Sequence, residues 1–141
     1  MNLEKIRDVF CINHDGTIIN LEKSGNDLNV DIDIKYLAEC FDKSFHIIKY
    51  KILDLKKVEL ISCDNIKYED INQIKNMELS IYEAEIDINE NVKINVWSEI
   101  IPYGQLYIWA NDIKIFDQNN CEIEYSKLCD ICEKYWRNFR D

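Results

Sequence analysis

The chain has 141 residues, of which 47% are hydrophobic and 31% are charged, and its formal net charge at pH 7 is −10. This length fits a single domain over residues 1–141, and the hydrophobic content excludes an intrinsically disordered chain. The negative charge opposes contact with phosphate backbones, which excludes a nucleic-acid partner. The acidity favours either a basic protein partner or simple solubility.

No apolar run approaches the roughly 20 residues that span a bilayer, so no membrane partner is expected. The N-terminal residues 1–8 are rich in charge, and no signal-peptide core follows them, which predicts a cytoplasmic location. Six cysteines are present, and Cys11, Cys40 and Cys63 lie in apolar or helical-looking stretches. We therefore expect reduced, buried thiols rather than disulfides.

The first half of the chain predicts one helix followed by strands. Residues 1–10 form a short helix or lead-in segment, and Leu28–Ile34 alternates strictly between apolar and polar side chains. The turn signal Ser24–Asp27 joins this strand to a preceding one in a hairpin. The other elements of this half are a strand over 17–21, a short helix within 35–45, strands over 45–53 and 58–62, and a loop with at most one helical turn over 63–77.

The second half returns to alternation. A strand from Leu79 places Tyr82, Ala84, Ile86 and Ile88 on one face, and Glu83, Glu85 and Asp87 on the other. Strands over 92–97 and 106–110 follow, separated by a turn at Pro102. The apolar residues change phase between Ala110 and Ile113, which predicts a bulge or bend at Asn111–Asp112.

The C-terminal segment predicts an amphipathic helix. Its apolar stripe has helical spacing and comprises Leu128, Ile131, Cys132, Tyr135 and Phe139, with Trp136 beside it. Ser126 is a candidate N-cap, and Arg137 and Arg140 suit the negative end of the helix dipole. The predicted fold class is therefore α+β and mainly β: a curved antiparallel sheet or two-layer β assembly of about seven to nine strands with a C-terminal helix.

The order of the His14-Asp15 pair, a hairpin, further strands and a terminal helix bearing Tyr135-Trp136 resembles small, uncharacterised bacterial β-rich proteins. Some of those proteins resemble immunity proteins of polymorphic-toxin systems. The resemblance covers most of the chain as a pattern, and it implies a binding protein without catalysis.

Two short motifs point to chemistry that their surroundings do not favour. Asn13-His14-Asp15-Gly16-Thr17 resembles the phosphatase motif of haloacid-dehalogenase-type enzymes, but the nucleophile position holds Asn13, and an amide cannot form an aspartyl-phosphate. A turn that leads into a strand is the better interpretation.

The second motif, Cys129-Asp130-Ile131-Cys132, lacks the second pair that a zinc site needs. A redox role stays open, although Cys132 lies on the apolar stripe of the predicted helix. His14 and His46, the only histidines, are interpreted as structural. No metal or other cofactor is expected.

Two sets of side chains are candidate partner-binding residues. The acidic set is Asp31, Asp33, Glu83, Glu85 and Asp87, and the aromatic set is Trp97, Tyr107 and Trp109. An exposed aromatic patch would suit a protein interface. The favoured interpretation is instead that the C-terminal helix covers these rings with its own aromatic residues.

The sequence therefore predicts a non-catalytic interaction protein whose acidic surface meets a basic partner, and it leaves a homo-oligomer open. The alternative is a small enzyme or small-ligand-binding β domain that uses His14, Asp15 or the cysteines. That alternative requires a concave pocket with converging polar groups.

Overall fold

A computed structural model of the chain describes the backbone of residues 2–140 and the side chains of residues 2–138. The described helices are α1 (Leu3–Ile12), α2 (Lys35–Ala38), α3 (Ile71–Lys75) and α4 (Tyr125–Arg140). The strands are β1 (Thr17–Ser24), β2 (Asp27–Asp33), β3 (Ile47–Leu53), β4 (Lys57–Ser62), β5 (Lys67–Tyr68), β6 (Ser80–Asp87), β7 (Asn91–Trp97), β8 (Gly104–Trp109), β9 (Asp112–Phe116) and β10 (Glu122–Ile123).

The strands form one antiparallel sheet in the order β10-β9-β3-β2-β1-β6-β7-β8-β4-β5. The prediction of a mainly β domain with an antiparallel sheet and a C-terminal helix is confirmed. The strand count of ten slightly exceeds the predicted seven to nine, because two-residue strands, β5 and β10, terminate the two edges. Short edge strands limit unwanted pairing with other chains.

The sheet has two halves, β10-β9-β3-β2-β1 and β6-β7-β8-β4-β5, which meet at the short pairing of β1 with β6. Two bent chain segments connect these halves. Residues 54–56 carry the chain from β3 to β4, and residues 110–111 carry it from β8 to β9. These segments run antiparallel to each other, since β3 pairs with β9 and β4 pairs with β8. These short segments keep β3 near β4 and β8 near β9, although the two strands of each pair are far apart in sheet order. The sheet is therefore strongly curved. The predicted bend at Asn111–Asp112 is the point where the chain changes halves.

Helix α1 lies where the two halves separate. Strands β1 and β6 share only the pair Thr17 and Ser80 in their register. Beyond this point α1 packs against β6, β7 and β9, and the Cys11 Sγ donates to the Ala84 carbonyl oxygen at 3.3 Å. Helix α3 packs against β1. The core therefore combines the inner face of the sheet with the buried side of α1, where Ile6, Val9 and Phe10 lie. The other three helices add Leu37, Ile74 and Leu128 to it.

The strict alternation of Leu28–Ile34 is confirmed. Its apolar residues are buried within β2 and the following turn, while the side chains between them stay at least partly exposed. Since β2 pairs with β1 on one side and β3 on the other, its buried residues join those of two neighbours. This strand therefore lies inside the sheet rather than at an edge.

Helix α4 packs against α1 and α2. The Tyr125 hydroxyl donates to an Asp8 carboxylate oxygen on α1 at 2.9 Å, and the rings of Trp136 and His14 stack at 5.1 Å. The predicted N-cap at Ser126 is wrong, because the Glu124 carbonyl accepts the first helical hydrogen bonds. Two further predictions concern the side chains of Phe139, on the apolar stripe, and Arg140, at the negative end of the helix dipole. Both side chains lie outside the described residues.

All six cysteines are free thiols, as predicted, but their predicted burial is wrong for two of the three named. Cys40 is exposed because α2 ends at Ala38, and Cys63 is exposed because β4 ends at Ser62. Cys11 is half-buried against β6. Among residues 2–140, no helix combines the length and the apolar character needed to cross a membrane.

Candidate functional site

The strands β6, β7, β8 and β4 present one continuous surface to solvent, here called the outer face. Alternation along β7 buries Val92, Ile94 and Val96, and places Lys93, Asn95 and Trp97 outside. Along β8 it buries Leu106 and Ile108, and places Gln105, Tyr107 and Trp109 outside. Because neighbouring strands keep their side chains in phase, the acids of β6 share this face with the aromatic rings of β7 and β8.

A chain of side-chain hydrogen bonds crosses the outer face. The Tyr107 hydroxyl donates to Gln105 Oε1 at 2.9 Å, and the Gln105 amide reaches Asn95 Oδ1 at 3.4 Å. The Asn95 amide in turn donates to Glu83 Oε1 at 3.0 Å. The carboxylate of Glu83 is therefore held in position by neutral groups.

Glu85 has a different partner from Glu83. Its Oε1 lies 2.7 Å from the Lys93 ammonium on β7, directly across the strand pair. The hydrogen bond to Glu85 raises the pKa of Lys93 above its usual value. The predicted acidic stretch of β6 is thus neutralised at Glu85 and left negative at Glu83.

Two rings of the outer face, Tyr107 and Trp109, lie toward the end of β8 that leads into β9, and they already have partners within the chain. Tyr107 and Trp109 stack with centroids 6.1 Å apart, and the Lys57 ammonium lies 5.3 Å from the Trp109 ring centroid. The Glu59 Oε2 lies 3.1 Å from both the Lys57 and the Lys67 ammonium groups. Burial alone would raise the pKa of Glu59, but these two cations outweigh burial and hold that pKa below its usual value.

The opposite end of the outer face contains a groove of about 510 Å³, here called the Trp97 groove. Three aromatic rings line it, and all are exposed: Trp97 by 49%, Tyr82 by 67% and Tyr103 by 75%. The other lining residues are Ile61, Ser62, Cys63, Asn65, Glu83, Asn95, Val96, Gly104 and Gln105. Large exposed rings gathered in one concavity are typical of binding surfaces.

Tyr82 reaches the groove because of a β-bulge. The register between β6 and β7 shifts between Ile81 and Glu83, so Tyr82 is the extra residue. The prediction that Tyr82 and Ala84 share one face is therefore wrong: Ile81 and Ala84 are buried, and Tyr82 faces solvent. A bulge redirects a side chain in this way at many functional sites.

The structure brings together only part of the predicted binding set. Glu83, Glu85, Trp97, Tyr107 and Trp109 share the outer face, with Asp87 at the far end of β6. The acids Asp31 and Asp33 lie on β2, in the other half of the sheet.

Asp31 faces a mixed environment on that half. It pairs in register with Lys49 and lies 3.4 Å from the Asn20 amide. These two acids are thus separate from the Trp97 groove.

The favoured interpretation that α4 covers the aromatic rings is wrong for Trp97, which stays half exposed. The helix directs its own rings elsewhere: Tyr135 lies 4.8 Å from Tyr36, and Trp136 stacks on His14. The exposed-patch hypothesis therefore applies to the Trp97 groove, whose other rings, Tyr82 and Tyr103, were not among the predicted site residues.

Of the residues named for the alternative, enzymatic function, Cys63 lines this groove, whereas His14, Asp15 and the other five cysteines lie outside it. His14 Nδ1 donates to the Cys11 carbonyl oxygen at 2.9 Å, and its ring is covered by Trp136. Burial raises the pKa of the Cys132 thiol, which disfavours a reactive thiolate. Within residues 2–138, no three His, Cys, Asp or Glu side chains are grouped closely enough to hold a metal ion.

Comparisons of the chain with protein-family models, with curated proteins and with solved structures found no significant match. The function is therefore inferred from the geometry of the outer face itself.

Proposed function

We propose that the protein is a non-catalytic interaction protein, of the immunity-like kind suggested by its sequence pattern, and that it acts in the cytoplasm. Its binding surface is the outer face, centred on the Trp97 groove. The observation that carries this proposal is the gathering of three exposed aromatic rings in one concavity of an acidic sheet face.

The chemistry of the groove supports a protein partner with basic character. Trp and Tyr are enriched among residues that dominate interface energies, and they contribute most where they fill a desolvated pocket. Glu83 supplies negative charge at the groove, and the chain as a whole carries a net charge of −10. Such a field accelerates encounter with a positively charged partner and selects against acidic ones.

Affinity capture with matched variants tests this proposal. The immobilised wild type, a Trp97→Ala/Tyr103→Ala double variant and a Phe116→Ala control are exposed to lysate of the native host. Phe116 lies on β9, in the other half of the sheet, so its loss leaves the Trp97 groove intact.

We expect the wild type and the control to retain the same basic protein, which is then purified and shown to bind directly. The double variant should lose it while keeping the wild-type melting temperature, because both substituted rings are exposed. A protein retained equally by all three forms, or no specific protein retained by the wild type, would contradict the proposal.

The alternative of a small enzyme or ligand-binding domain stays a prediction. Cys63 lines the Trp97 groove, but no histidine lines it to activate that thiol, and His14, Asp15 and Cys132 lie elsewhere, so the described residues do not favour this alternative.

A further inference from the structure

We propose that the Trp97 groove is a subsite for one arginine side chain of the partner, held between aromatic rings and paired with Glu83. This inference rests on the proposed function and specifies which chemical group of the partner the groove recognises. It follows from three properties of the groove: the charges that line it, the free carboxylate of Glu83 and the unpartnered rings.

The first property is the charge of the lining. Among the residues that line the Trp97 groove, Glu83 is the one charged side chain at neutral pH, and none is Lys or Arg. A second groove of about 380 Å³, on the other half of the sheet, contains Glu22 and Asp31 but also Lys49 and Lys51. The second groove therefore carries its own counter-charges, whereas the Trp97 groove has a negative charge without one.

The second property is the state of the Glu83 carboxylate. Its Oε1 accepts one hydrogen bond from the neutral Asn95 amide, which fixes the orientation of the group without neutralising it. The nearby Lys93 is paired with Glu85 instead. Within residues 2–138, Glu83 has no ion pair, so its carboxylate can accept a cation from outside the chain.

The third property is the availability of the rings. In the described part of the chain, Trp97, Tyr82 and Tyr103 contact no other ring or cation. Trp109 differs, because the Lys57 ammonium lies 5.3 Å from its ring centroid. A cation within about 6 Å of a ring centroid is attracted by the negative face of the ring. The Lys57–Trp109 contact is an intramolecular example of that geometry on the same face.

Arginine fits this combination better than lysine does. Its guanidinium is planar, so it can stack on a ring while its N–H groups form paired hydrogen bonds with a carboxylate. It is also less strongly hydrated than an ammonium group, so entry into an apolar groove costs less. The Trp97 groove supplies both the rings and the carboxylate, in the 300–1,000 Å³ range common for ligand sites.

The test is an NMR titration of the ¹⁵N-labelled protein with N-acetyl-arginine N-methylamide. The matched probe is N-acetyl-citrulline N-methylamide, which has nearly the same shape but no charge. We expect saturable shifts of the Trp97 indole N–H and the groove amides with the arginine probe, and about tenfold weaker binding of the citrulline probe, as loss of a charge-assisted pair predicts.

Two variants assign the charge recognition to Glu83. In Glu83→Gln, the arginine probe should bind only as weakly as the citrulline probe does. Glu22→Gln makes the same charge change on β1, outside the Trp97 groove, and should leave the affinity within about twofold of wild type, since separated surface charges are screened.

Equal binding of the two probes, unchanged affinity in Glu83→Gln, or no saturable shift would each overturn the arginine assignment. Those outcomes leave the capture experiment with the Trp97→Ala/Tyr103→Ala variant as a separate test of the proposed function. The capture experiment could also fail while the titration succeeds. If the wild type and the double variant retained the same proteins, but the arginine probe still bound selectively, the arginine subsite would stand and the proposed interaction role would be overturned.

Discussion

Asn95 donates its side-chain amide hydrogen to Glu83 Oε1 at 3.0 Å, directly across the paired strands β7 and β6. Asn95→Asp would replace this donor with a second carboxylate. Because like charges opposite each other destabilise a sheet, we expect the free energy of unfolding to fall by about 0.5–1 kcal/mol at low salt. Urea denaturation measures the loss, which should shrink near 1 M NaCl, where the Debye length is about 3 Å. A loss independent of salt would contradict electrostatic repulsion.

The bulge at Tyr82 makes neighbouring residues differ sharply in their contribution to stability. Tyr82→Thr should change the free energy of unfolding by less than about 0.5 kcal/mol, because the ring is exposed. Ile81→Ala should cost about 2–4 kcal/mol, because Ile81 is buried. Chemical denaturation compares the two variants. The opposite ranking would show that β6 has regular alternation with Tyr82 inside.

Asn13 and Tyr50 form a buried hydrogen bond that joins the end of α1 to β3. The Asn13 amide donates to the Tyr50 hydroxyl at 2.6 Å and to the Val9 carbonyl at 2.7 Å. Asn13→Ala leaves the hydroxyl without this partner, so we expect a loss of about 1–3 kcal/mol. In a double-mutant cycle with Tyr50→Phe, the combined loss should be smaller than the sum of the single losses. Strict additivity would show that the two groups are not coupled.

Asn91 presents the opposite case, a buried amide without a partner. Neither polar atom of its side chain has a hydrogen bond, and the residue is almost fully buried at the start of β7. Asn91→Val removes this unsatisfied group and suits a strand, so the free energy of unfolding should rise by about 1 kcal/mol. Thermal denaturation is the measurement, and a lower melting temperature would indicate that the amide has a stabilising role.

Glu59 gives the protein a defined pH dependence. Its pKa is held below the usual value by Lys57 and Lys67 despite burial, so the ionised carboxylate stabilises the fold above the unfolded-state pKa of about 4.3. This contribution is lost as the pH falls through the lower, folded-state pKa. Glu59→Gln should therefore cost about 1–2 kcal/mol at pH 7, as expected for hydrogen bonds to a charged group.

The difference in the free energy of unfolding between wild type and Glu59→Gln should disappear below the folded-state pKa of Glu59. Denaturation curves collected from pH 7 down to about pH 2 provide the comparison, since ordinary carboxylates titrate near pH 4 and the pKa of Glu59 lies lower. If the difference were constant across the range, the ion pairs with Lys57 and Lys67 would not stabilise the fold.

Strand identity was predictable where side chains alternate over many residues. Leu28–Ile34 is such a segment, because one buried face imposes a period of two on the sequence. The C-terminal helix was predictable from its 3.6-residue period, although its start was misplaced by the more favourable capping chemistry of Ser126. The short strands β5 and β10 left no comparable signal, since two residues cannot show a period.

The candidate site was predictable only in part, because it depends on pairing between distant segments. Trp97 and Tyr107 followed from alternation, but the bulge at Tyr82 was missed. Its signal was the phase change from Ile81 to Ala84, of the same kind that indicated the bend at residues 110–112. Tyr103 belongs to the turn before β8, where no periodicity assigns a face. Sheet order, set by the bent β3–β4 and β8–β9 segments, could not be derived from local patterns.

Isothermal titration calorimetry with the purified partner tests whether the Trp97 groove is the binding surface. Relative to wild type, Trp97→Ala should weaken binding about 30-fold, which corresponds to the roughly 2 kcal/mol of a hot-spot residue. Phe116→Ala should bind as the wild type does. Equal affinities of wild type and Trp97→Ala, or a loss confined to Phe116→Ala, would show that the partner binds elsewhere on the protein.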